Sequence, residues 1–92
     1  MPLPLDEYRC KLINKILFAG SQDEVKRYCD AAMKGLEHHK VNGHLVVRFT
    51  DRMINELEQF NPMKKDAQQW SNIQMARIQF NRIKRQLTAG VN

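Results

Sequence analysis

Ser21-Gln22-Asp23-Glu24-Val25-Lys26-Arg27-Tyr28-Cys29-Asp30-Ala31-Ala32-Met33-Lys34-Gly35-Leu36 opens on a helix-start signal and continues as a helix. Its first four residues form a capping box. The Ser21 hydroxyl is placed to accept from the backbone N–H of Glu24, and the Glu24 side chain to reach back. Val25, Tyr28, Cys29, Ala32, Leu36 and His39 then recur at helical spacing on one face, with Met33 beside them. Lys26, Asp30 and Lys34 fall off that face. Asn42-Gly43 supplies the stop, because both residues tolerate a left-handed backbone.

The same pattern extends to both sides. Upstream, Leu5, Tyr8, Leu12, Ile16 and Ala19 line one side of a helix that Ile13 and Leu17 widen. Asp6 and Glu7 sit in its first turn, where the helix dipole favours acids, and Gly20 ends it. Phe18 points away from that stripe. It is expected first to pack under the Gly20 turn and second to meet a partner.

Downstream, Val46, Phe49, Met53, Leu57 and Phe60 make a third stripe, with Ile54 adjacent. Asn42-Gly43 ahead of Leu45-Val46-Val47 also resembles a hairpin turn. The strand preceding it, Glu37 to Val41, would have little β character. The residues favour helix over 41–47, and an extended start would move the cap to Thr50 or Asp51.

A fourth segment begins at Asn61, a capping residue, with Pro62 at the first helical position. Trp70, Ile73, Ala76, Phe80, Ile83 and Leu87 track its core face, while Met63, Met75 and Ile78 lie off it. At 1.5 Å per residue, about 25 helical residues would reach roughly 38 Å and overhang shorter partners.

Four amphipathic segments bury their apolar sides only against one another. Short connections then set neighbours antiparallel. The expected fold is all-α, a small antiparallel bundle of helices at roughly 5–19, 22–41, 45–60 and 62–88. It is read as one domain, 1–92. The expected core holds Leu12, Ile16, Val25, Tyr28, Leu36, Phe49, Met53, Leu57, Trp70, Ile73, Phe80 and Ile83.

Composition narrows the setting. With 42% hydrophobic and 27% charged residues, the chain reads as globular. No apolar run approaches a membrane span, and Met1-Pro2-Leu3-Pro4 does not resemble a signal peptide. A cytoplasmic location is expected, with Cys10 and Cys29 as thiols.

The candidate chemistries are thin. His38 and His39 are adjacent, so on a helix they point about 100° apart. Neither they nor His44 has a Glu three residues before it, as a carboxylate-bundle metal motif requires. His39 is expected to border the core. Cys29 lies on the apolar stripe, where a thiol is inert. No GxSxG sequence is present, and the four glycines form no phosphate loop. No metal, cofactor or catalytic residue is assigned.

The net charge of +5 is uneven: residues 1–46 carry seven Lys/Arg against six Asp/Glu, and residues 47–92 eight against four. After Asp66 there is no acid. Arg77, Asn81, Lys84 and Arg85 share one side of the last helix, with Arg82 and Lys65 secondary. Such a face either contacts phosphates or serves as a solvated surface that complements the helix end. The leading expectation is a small non-enzymatic interaction or regulatory module that takes a protein partner or a second copy through Met63, Met75, Ile78 and Phe18. The alternative is weak, non-sequence-specific nucleic-acid binding through the basic last helix.

Overall fold

In a computed structural model, which describes residues 4–89, the apolar sides of four helices pack together as a small bundle. The helices are α1 (Leu5–Leu17), α2 (Gln22–His38), α3 (Gly43–Glu58) and α4 (Ala67–Ala89), with a 3-10 turn at Pro62–Lys64. No strand occurs among the described residues, so 41–47 is turn and helix and not a hairpin.

Local signals set most of the boundaries. Ser21 Oγ accepts from the Glu24 N–H at 3.2 Å. The Glu24 carboxylate reaches back to the Gly20 N–H, one residue earlier than the reciprocal box requires. Asn42 caps α3, its Oδ1 accepting from the His44 N–H.

The end of α1 and both ends of α3 fall two residues earlier than the sequence reading, and two boundaries differ more. The helix does not start at Pro62. Asn61 caps only the 3-10 turn, its side chain accepting from the Met63 N–H. The chain then straightens, and α4 begins after Asp66, whose carboxylate accepts from the Gln69 N–H. The left-handed residue that ends α2 is Lys40, with φ 55°, and not Asn42 or Gly43. Val41 N–H bonds the Leu36 carbonyl and Lys40 N–H the Glu37 carbonyl, the paired bonds of a Schellman motif. His39 is therefore the C-cap and is exposed, not at the edge of the core as expected.

Consecutive helices run antiparallel. Tyr8 meets Ala32, and Ala19 lies by the start of α2. Lys84 meets Asp51 while Arg77 meets Glu58. The helices are not equal partners. α4 packs against all three others and α1 against α2 and α3, whereas α2 and α3 barely touch. At 23 residues α4 is about 35 Å long, close to the molecule's 38 Å longest extent.

Leu12, Ile16, Val25, Leu36, Phe49, Met53, Leu57, Ile73 and Phe80 are buried, joined by Cys29, Ala32 and Ala76. Tyr28, Trp70 and Ile83 are only partly buried, against the expectation of a core position. Ile83 lines the groove left where α2 and α3 diverge. Tyr28 sits at the rim of α1 and α2, its hydroxyl on Glu24 and Lys15 over its ring. Trp70 lies in the first turn of α4, close to the end of the bundle.

Candidate interaction surface

The polar residues that hold the helices together also determine which charges remain unpaired. Arg9 lies on the core side of α1, with its side chain 11% exposed. Its Nε donates to Glu56 on α3, and its Nη1 donates to Asp6 at 2.9 Å. The hydrogen bond and charge of Arg9 hold the Asp6 carboxyl below its ordinary value of 3.8. The Asn72 side chain is fully buried; it donates to the Ala19 carbonyl at 2.8 Å and accepts from Gln68. Sequence reasoning missed both residues. Arg9 was detectable, because it precedes Leu12, Ile13 and Ile16 by three, four and seven positions and so shares their face.

The basic face of α4 separates into paired and unpaired charges. Lys84 Nζ lies 2.5 Å from the Asp51 carboxylate, and Arg77 lies 3.9 Å from that of Glu58. Both bridges join α4 to α3. Asn81 donates to the Arg77 carbonyl of its own helix. Arg82 and Arg85 are exposed, with no ion pair among the described residues. Lys65 lies over the Phe60 ring at 5.2 Å, away from the other four cations in the chain between α3 and α4. The five are thus not brought together on one surface.

The four apolar candidates also divide. Met63 is 90% exposed, Phe18 77% and Ile78 54%. Met75 is half-buried against the core on α4. Phe18 does not pack under the turn as first expected: Ala19 takes the inward position there, with its carbonyl held by Asn72. Leu45, which the sequence reading did not single out, is 43% exposed near the start of α3. Phe18 and Met63 lie at the same end of the bundle, the end of α1 and the link from α3 to α4, while Ile78 lies midway along the outer face of α4.

The reactive side chains do not converge. His38, His39 and His44 are exposed, and the rings of the first two meet edge to face at 5.6 Å. Among the described residues no group of three His, Cys, Asp or Glu side chains is placed to hold a metal ion. Burial pushes the Cys29 thiol up to about 12, which keeps it protonated; Cys10 is exposed. Two shallow grooves flank the end of α4. One is lined by Met33, Val41, Val46, Ile83 and Leu87, the other by Asn42, His44, Val47 and Thr88. No described helix is long and apolar enough to cross a membrane. Comparison with protein-family models, curated proteins and solved structures finds no match.

Proposed function

We propose that the protein is a non-enzymatic interaction module that acts as one cytoplasmic domain and takes a protein partner, a second copy of the chain included. The observation that carries this reading is the exposure of Phe18, Met63 and Ile78 on a chain whose core is already closed by other residues. Single exposed apolar residues are ordinary. A nearly bare methionine and a phenylalanine at one end of a small bundle supply adaptable and rigid contact area together.

Sedimentation velocity across a range of concentrations tests the self-associating form. The wild type associates as concentration rises, and Phe18→Ser/Met63→Ser/Ile78→Ser remains a monomer. A wild type that stays monomeric at millimolar concentration contradicts it.

A second reading draws on Arg82 and Arg85, which have no acidic partner among the described residues. It is weak binding to nucleic acid without sequence preference, driven by counterion release.

A further inference from the structure

Between Glu37 and Asp51 the chain contains no acid, and it carries His38, His39, Lys40, His44 and Arg48. All five are exposed, and none makes an ion pair among the described residues. This segment is the turn from α2 to α3 together with the first two turns of α3. The end of α4 reaches the same place, since Leu87 and Thr88 share a groove with Asn42, Gly43 and His44. Arg85, exposed and unpaired, lies one turn back from Thr88. The N-terminus of the 16-residue α3 opens among these side chains and adds the positive end of its dipole. His44 and Arg48, four residues apart, lie on one face about 6 Å apart along the axis. Arg48 lines a groove on the α1 side with Arg52 and Asp6, the acid that Arg9 and Arg52 already pair. By contrast, Lys84 pairs with Asp51, and Arg77 faces the Glu58 carboxylate at 3.9 Å.

We propose that the phosphate backbone of duplex nucleic acid docks on this end of the bundle, through Lys40, Arg48 and Arg85 with the histidines around them, and not on the Arg77–Lys84 face. The proposal rests on the nucleic-acid reading and relocates its contact surface. A duplex fits better than a single strand, because no Phe, Tyr or Trp is exposed at this end to stack on bases. It also fits better than a membrane. The most exposed apolar side chains, Phe18 and Met63, lie at the opposite end, and among the described residues Leu45, 43% exposed, is the one large apolar side chain exposed beside these cations, too little for an inserting wedge.

The test is a salt titration of binding to a short mixed-sequence DNA duplex, with wild type, Lys40→Gly/Arg48→Gln and Arg77→Gln/Lys84→Gln in parallel. Three phosphate contacts give a slope of log K against log salt of about −2.7. Lys40→Gly/Arg48→Gln reduces its magnitude by about 1.8, and Arg77→Gln/Lys84→Gln leaves it unchanged. Amide shifts in wild-type protein on adding duplex fall within residues 38–48 and the last turns of α4. That measurement needs no variant to fold. A wild type that binds no duplex at low salt, or binds only anionic vesicles, overturns the nucleic-acid reading itself. Binding that both variants weaken equally, or only Arg77→Gln/Lys84→Gln weakens, overturns the placement and leaves the reading standing. An amide footprint on the outer face of α4 does the same.

Discussion

Lys40 holds a φ of 55°, a conformation that costs a residue with a Cβ about 1 kcal/mol and costs glycine almost nothing. Lys40→Gly therefore stabilises the fold by about 1 kcal/mol, read as a higher urea midpoint with an unchanged slope; a lower midpoint contradicts the assigned turn. Gly35 presents the opposite case. It lies inside α2, and a Cβ there would collide with the Tyr8 hydroxyl, which donates to the Ala32 carbonyl at 2.7 Å. Gly35→Ala is expected to destabilise despite alanine's better helix propensity. In a Tyr8→Phe background the collision disappears, leaving ordinary contact at 3.4 Å to the ring. There Gly35→Ala becomes neutral or stabilising, and additive effects in this double-mutant cycle would count against the contact. The chain reversal at Lys40 was not legible because Asn42-Gly43 carries the stronger local signal. That signal is real, but it serves the start of α3. The burial of Leu36 and the partial burial of Val41 fix where α2 ends.

At the scale of elements, α1 is tied down by polar contacts at both ends. Arg9 bonds Glu56 and Asp6 near its start, and Asn72 holds Ala19 beyond its finish. Because Arg9 depresses the Asp6 carboxyl in the folded state, that contribution to stability is complete above the ordinary value of 3.8 and is lost as pH falls through the lower folded value. Asp6→Asn thus flattens the acid side of the stability–pH profile below about pH 4 and leaves the pH dependence above pH 6 unaltered. An unaltered acid limb removes Asp6 from the account. Asn72→Leu strands the Ala19 carbonyl and costs about 1–3 kcal/mol, more than its added apolar volume returns. The first three stripes were legible because each helix has one buried side. α4 was read less well. Its buried set includes Asn72 and Gln79 as well as Ile73, Ala76 and Phe80. A helix whose inward face carries polar residues hides part of that face from a reading built on one apolar stripe.

For the whole molecule, the division between core and surface is the functional statement. Leu57 is fully buried, and Leu57→Ala is expected to cost about 2–5 kcal/mol, a large part of the stability of a bundle this small. The candidate surface was legible only in part. Met63 and Ile78 stand out because they fall off the helical stripes. The pairing of Lys84 and Arg77 was hidden because their acids, Asp51 and Glu58, lie on another helix. The outward turn of Phe18 depended on where Ala19 and Asn72 meet. If Phe18, Met63 and Ile78 serve contact and not the core, removing them changes association without weakening the monomer. Urea unfolding at two well-separated protein concentrations tests this most directly, comparing wild type with Phe18→Ser/Met63→Ser/Ile78→Ser. The wild-type midpoint rises with concentration, as linked association requires, while the variant's midpoint is independent of concentration and lies within about 0.5 kcal/mol of dilute wild type. A wild-type midpoint that does not move with concentration, together with a variant destabilised at both, would place these side chains in the monomer's own core and contradict the account.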